Sequence, residues 1–202
     1  MILARPIIAY LAKELSRRLA KGACQIKDQA VLGEAFETII VDELSLEDEI
    51  NVEVRELLNQ YGDYMRQKQI PYQEMFRKVK RKVLEERGVV SAQAHGPGER
   101  TMKISRDKLT ELSHKLAARL PRTPGVRVLK GWNEVRLEIQ QDFTDILRME
   151  ETVDRRAREM IESQQREIPE GSEEWSVLHR RYYEQEMRRH GIELHAPETP
   201  QL

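Results

Sequence analysis

The chain has 202 residues, 34% of them charged, with 34 Lys and Arg against 35 Asp and Glu for a net charge of −1. That balance excludes a global field that would draw in nucleic acid or an anionic membrane, so any electrostatic function must come from local patches. A single cysteine, Cys24, excludes an intramolecular disulfide and a cysteine-built zinc site, and no apolar stretch reaches the ~20 residues of a membrane span, so a cytoplasmic chain is expected.

From the N-terminus, Ile8, Leu11, Leu15 and Leu19 recur at helical spacing, with Pro6 tolerable in a first turn. Gly22 to Gln25 breaks that helix. Asp28 is placed to cap a second one, carrying Leu32, Phe36, Ile39 and Ile40. Ser45-Leu46-Glu47-Asp48 reads as a further capping signal, so a third helix is predicted through Ile50, Val54, Leu57, Leu58 and Tyr61. Pro71 opens a fourth, with Met75, Phe76, Val79 and Val83 on one face and Gly88 as its stop. Residues Ser91 to Gly98 read as an exposed linker.

The order then recurs. Ser105 caps a helix with Leu109, Leu112, Leu116 and Leu120, and Pro121 to Gly125 breaks it. Val135, Ile139 and Phe143 mark a second helix, and Val153, Ala157, Met160 and Ile161 a third. Gly171-Ser172 introduces a fourth with Trp175, Leu178 and Tyr182, which ends at Gly191. Gly88 and Gly191 each precede a β-branched residue and are expected at positive φ.

Laid on itself so that Leu11 meets Leu112, the chain also brings Leu15, Arg18 and Leu19 onto Leu116, Arg119 and Leu120. A slightly longer shift sets Glu47 on Glu150, Ile50 on Val153, Tyr72 on Trp175 and Gly88-Val89 on Gly191-Ile192. Apolar positions agree while the surface differs, the pattern of a duplicated core. The predicted fold is all-α: two tandem homologous units of about four helices each, over residues 1–90 and 103–193, with a linker at 91–102 and a flexible tail at 194–202. Ile2-Leu3, Val89-Val90, Ile104 and Ile192 frame the units, either pairing as minimal ribbons or stapling the helix ends.

The first unit resembles the bacterial domain-of-unknown-function family 507. The resemblance is carried by the Leu11-Leu15-Leu19 helix, by the stretch from Glu47 through Ile50, Val54 and Arg55 to Leu58, and above all by Tyr72 to Val89. Residues 103–193 follow through the duplication but are diverged. The resemblance implies a small all-helical module, often in two copies, and no catalytic residues.

The strongest candidate site is the basic run of the fourth helix: Arg77, Lys78, Lys80, Arg81 and Lys82, fanned opposite Met75, Phe76, Val79 and Val83. Such a cluster repels itself unless offset by phosphate, by an acidic protein, or internally by the cluster from Asp42 to Glu49. The acidic cluster lacks calcium-loop spacing and reads as a helix start. The five histidines form no His-x-x-x-His pair, and no phosphate-binding or dinucleotide fingerprint occurs. Cys24 reads as an inert turn residue, Tyr72 and Trp175 as core anchors, and Trp132 as buried in its own unit or between the units. The chain is therefore expected to be a non-enzymatic helical interaction module without cofactor or metal, presenting charged helix faces to a protein partner. The alternative is nucleic-acid or ribonucleoprotein binding through the same basic face.

Overall fold

Local signals start most of the helices where the sequence places them. In the computed structural model, which describes residues 3–92, 103–164, 166 and 168–194, α1 (Arg5–Leu19) begins with Pro6 in its first turn. Asp28 caps α2 (Gln29–Gln60), its carboxylate accepting from the amides of Ala30 and Val31. A short α3 (Gly62–Gln67), which the sequence does not announce, precedes α4 (Tyr72–Arg87). Ser105 caps α5 (Arg106–Arg119) through the amide of Lys108; a single 3-10 turn, Leu120–Arg122, follows. The chain continues in α6 (Trp132–Glu162) and in α7 (Glu173–Arg189), capped by Ser172 through the amide of Trp175.

The fold is all-α but for one ribbon. The expected break at Ser45 to Asp48 does not occur. α2 runs unbroken for 32 residues and α6 for 31, each about 48 Å long at 1.5 Å per residue. The second and third predicted helices of each unit are thus one helix. The reason is burial: Leu32, Phe36, Ile40, Leu44, Ile50, Val54 and Leu58 lie buried along α2, with no Gly or Pro after Gly33 to interrupt them. A capping tetrad inside a continuous apolar stripe has no free amides to satisfy.

The only strands among the described residues are β1 (Cys24–Ile26) and β2 (Val126–Val128), paired antiparallel with Cys24 opposite Val128 and Ile26 opposite Val126. β1 begins within the first segment read from sequence as a helix breaker, β2 follows directly after the second, Pro121 to Gly125, and together they join the two halves. Of the two readings left open for Leu3, Val89-Val90, Ile104 and Ile192, ribbon pairing does not occur, and Leu3, Val89, Ile104 and Ile192 pack as apolar staples. Leu3 and Ile104 are buried in the central cluster, Ile192 in a peripheral one, and none lies in a strand. Ile2 and most of the predicted linker and tail, including His95 and His195, lie outside the described residues. Ala92, predicted exposed, is buried.

Three apolar clusters organise the packing. The central one draws Leu11, Leu15, Leu32 and Phe36 from the first half and Leu112, Leu116, Ile139 and Phe143 from the second. Accordingly α1 packs on α6 as well as α2, and α5 on α2 as well as α6. Beyond this centre each long helix extends as an arm. On the first arm, α4 covers Ile50, Val54, Leu58 and Met65. On the second, α7 brings Met187 and Ile192 against Val153 and Ile7.

Gly88 and Gly191 take φ of 62° and 75°, as their places after α4 and α7 require. Nothing lies within 4 Å of a Cβ added at Gly88, so Gly88→Val is expected to cost about 1–2 kcal/mol by backbone strain alone. An unchanged urea midpoint would contradict that. Phe36→Ala should cost about 3–5 kcal/mol by opening a cavity in the central cluster. Both tryptophans, Trp132 and Trp175, lie in the second half. Their fluorescence should nevertheless report the first-half lesion as a shift of one common unfolding transition.

Candidate functional site

α4 turns Met75, Phe76, Val79, Val83 and Leu84 toward α2, which leaves Arg77, Lys78, Arg81 and Lys82 exposed on its outer side. Lys80 does not join them. It stands four residues from both Phe76 and Leu84, on their inward row, and its Nζ lies 2.5 Å from Glu47 Oε1. The two side chains are 9% and 5% exposed, so the predicted outer face of five cations is corrected to four.

Those four are largely balanced along their own helix. Lys78 pairs with Glu74 at 2.7 Å, Lys82 with Glu86 at 3.8 Å, and Arg81 reaches Glu85 at 4.0 Å. Arg87 crosses to Glu53 of α2 at 2.7 Å. Such exposed pairs contribute little stability, but they cancel much of the local field. Arg77 donates to the backbone oxygen of Gln73, and neither it nor Lys68 enters an ion pair among the described residues.

The acidic stretch from Asp42 to Glu49 lies in the middle of α2, not at a helix start. Within it, Glu47 takes Lys80, and Glu43 takes Lys108 and Lys115 of α5 at 2.9 and 2.5 Å. Burial would raise the Glu43 carboxyl, but the hydrogen bonds from Lys115 and Lys108 outweigh it and hold the group below its usual range. Lys108 is itself buried, so this pair locks one half onto the other.

At the far end of the first arm an apolar surface appears, of which the sequence had placed Leu57 and Tyr61 on a helix stripe and Tyr72 in the core. Leu57, Tyr61, Tyr64 and Tyr72 are exposed, and Met65, Ile70, Pro71 and Tyr72 line a cavity of about 450 Å³. Tyr72, at 44% exposed, is therefore no core anchor. It stacks on Phe76, over which the Arg55 guanidinium sits. Trp132, at 49%, is likewise exposed rather than buried within or between units.

Two buried carboxylates hold the arms at their roots. Glu47 accepts from Lys80, from the Ser91 hydroxyl at 3.2 Å and from the Ala92 amide at 2.5 Å. Glu150, wholly buried, accepts from Lys103 at 2.5 Å and from the Tyr183 hydroxyl. Burial and then the bond to Glu150 push the Tyr183 phenol well above its usual range. Beside it, His179 lies 3.1 Å from Asp154 and stacks between Trp175 and Tyr183, with Arg158 over the half-buried Trp175. The internal offset that the sequence offered, the basic run against the cluster from Asp42 to Glu49, is realised in the Glu47–Lys80 pair, whereas sequence reasoning missed the roles of Glu150, Tyr183 and His179. The available signal was the match of Glu47 with Glu150, a charge kept among matching apolar positions.

Chemically, these groups fasten helices. Among the described residues no three His, Cys, Asp or Glu side chains stand together as a metal site. Cys24 is buried in β1 rather than set in a turn, and burial, followed by Glu138, pushes its thiol up to about 11, which keeps it unreactive. No helix of the described residues is long and apolar enough to cross a membrane.

The model of a family described as "Protein of unknown function (DUF507)" matches residues 1–192, taking in both halves and the segment between them. No curated protein matches the chain.

Lys80→Met should destabilise the fold by about 3 kcal/mol or more, because it strips the cation from a buried carboxylate. Lys78→Met, on the exposed side, should stay within about 0.5 kcal/mol of the parent. The double variant Glu47→Gln/Lys80→Met should be less unstable than Lys80→Met alone; strict additivity in urea unfolding would show that the pair is not coupled.

Proposed function

We propose, from the premise that the chain belongs to the DUF507 family, that it is a non-enzymatic cytoplasmic interaction module whose first arm docks an acidic protein surface. The observation that carries this reading is the arm's end. Leu57, Tyr61, Tyr64 and Tyr72 are exposed there beside a cavity, with Lys68 and Arg77 outside any ion pair among the described residues. Tyrosine and arginine over apolar area are the side chains that dominate protein interfaces, since they bury much surface at small entropy cost.

Support for a non-enzymatic role comes from how the titratable clusters are used. Glu47 with Lys80, Glu43 with Lys108, and Glu150 with Tyr183 each tie one helix to another. The two halves are read as tandem homologous units, one over residues 1–90 and one over 103–193. The recurring element order supports this, as do the two root carboxylates and the arginine set over an aromatic ring on each arm.

Nucleic acid is the weaker alternative, since a phosphate-binding face needs an excess of cations and Lys78, Arg81 and Lys82 are neutralised by Glu74, Glu85 and Glu86. The test is a titration with labelled poly-glutamate, single-stranded RNA and duplex DNA. Poly-glutamate should bind at low salt and be lost in Lys68→Glu/Arg77→Glu, with helicity by circular dichroism unchanged. RNA and DNA should bind no more tightly than the nonspecific range of about 10⁻⁴–10⁻⁶ M near 150 mM salt. Sub-micromolar nucleic-acid binding that falls steeply with salt would overturn the reading in favour of the alternative.

A further inference from the structure

The two halves meet at the β1–β2 ribbon, and their corners there differ in charge. Where α1 ends near the start of α6, carboxylates answer most of the cations. Arg17 and Arg18 hold Glu14, Arg18 also holds Asp142 at 2.9 Å, and Lys130 holds Glu138 and, at 3.6 Å, Glu134. The matching corner of the other half keeps the cations and lacks the carboxylates. The shift that sets Glu47 on Glu150 sets Lys27 on Lys130, but it sets Val31 and Ala35 on Glu134 and Glu138, and Ile39 on Asp142. Arg119, which matches Arg18, ends α5, and Arg122, which matches Lys21, ends the 3-10 turn after it.

Five cations are left over. Lys21, Lys27, Arg119, Arg122 and Arg127 are exposed, and none enters an ion pair among the described residues. Asp28 is committed to the amides that it caps. Glu34 and Glu37, also outside any ion pair among the described residues, stand about 9 and 14 Å further along α2 at 1.5 Å per residue.

The ribbon carries this excess on a polar face. Cys24, Ile26, Val126 and Val128 turn to the central cluster, so the alternate residues Gln25, Lys27, Arg127 and Leu129 turn outward. Bonds from the Lys27 amide to Gly125 and from the Leu129 amide to Ala23 extend the ladder to both ends of that face. α2 and α6 each start beside it and add the positive ends of two helix dipoles. No side chain caps α6, and its N-cap Gly131 has nothing within 4 Å of an added Cβ. The exposed Trp132 follows it.

We propose that this face binds the phosphate backbone of single-stranded nucleic acid, with Trp132 as the surface on which a base stacks. A protein interface needs an apolar centre, and the centre here is Gln25 beside Arg127, with Val31, Leu129 and Trp132 at the margins. Spaced phosphates need spread cations and free helix amides, and this end of the molecule offers both. An exposed indole stacks on a base that is unpaired, which selects single strands over duplex. The site lies at the opposite end of α2 from the tip of the first arm and does not rest on the role proposed for that arm.

The experiment is fluorescence anisotropy of the full chain with labelled oligo-uridylate, a duplex of the same length, and poly-glutamate as competitor. The wild type should bind the single strand at about 10⁻⁵ M near 150 mM salt and about tenfold more tightly at half that salt, because five phosphate contacts set a log–log slope of about −3.5. Lys27→Gln/Arg122→Gln/Arg127→Gln should weaken binding about tenfold or more at the lower salt and bring the slope to about −1.4. Trp132→Ala should weaken it about tenfold with the slope unchanged. Lys68→Glu/Arg77→Glu should change neither, and circular dichroism should be the same for all. No binding at the lower salt, tighter binding of the duplex, or binding that survives the triple variant overturns the proposal. Binding lost in Lys68→Glu/Arg77→Glu places the nucleic acid on the first arm and overturns it too. Poly-glutamate that displaces the oligonucleotide at equal charge makes the ligand an acidic protein, which also overturns it.

Discussion

Everything in this molecule depends on two short and two long helices burying one apolar cluster. Leu11, Leu15, Leu32 and Phe36 meet Leu112, Leu116, Ile139 and Phe143 there, and the β1–β2 ribbon ties the same halves along their backbones. A two-helix layer has one apolar stripe to cover and too little area to close over it alone. Sharing the stripe between halves solves that, and it frees the outer lengths of α2 and α6 to project as arms. Each arm has its own small cluster, so the arms are fastened by far less apolar surface than the centre.

That imbalance explains the buried carboxylates. Glu47 and Glu150 sit where each long helix leaves the central cluster, the point where an arm would otherwise be held only by a few side chains. Desolvating a carboxylate costs several kcal/mol, so such groups add net stability only weakly. They add direction instead: a charge that needs particular donors fixes the register of the helix that supplies them. Glu47 demands Lys80 together with the Ala92 amide, and so sets both α4 and the chain end that follows it. Ser105 completes the root by bonding the backbone oxygens of Ser91 and Ala92, bringing the start of α5 to the end of the first half.

The same economy shapes the surface. Cations on α4 that look like a binding stripe are mostly answered by Glu74, Glu85 and Glu86 one turn away. On α4 the cation left without an ion pair among the described residues is Arg77, near the end of the first arm. Beside it Tyr64 and Tyr72 of the first arm stand exposed on α3 and α4. A surface of that kind loses little conformational entropy on docking.

The sequence by itself determined the helical character, the caps at Asp28, Ser105 and Ser172, the left-handed glycines at 88 and 191, and most of the buried stripe. All of these are decided within a few residues, by amide satisfaction, Cβ sterics and the 3.6-residue period. Only the tertiary structure decided that Ser45 to Asp48 would not start a helix, because neighbours on both sides of the tetrad are buried by other elements. It alone paired β1 with β2, since three-residue strands have no signal apart from their partner. It turned Lys80 inward to Glu47 and Tyr72 outward, although residue type groups the first with the charges and the second with the core. Which side of an amphipathic helix meets protein or water is settled by where its neighbours stop, and the first arm's apolar neighbours stop short of Tyr72.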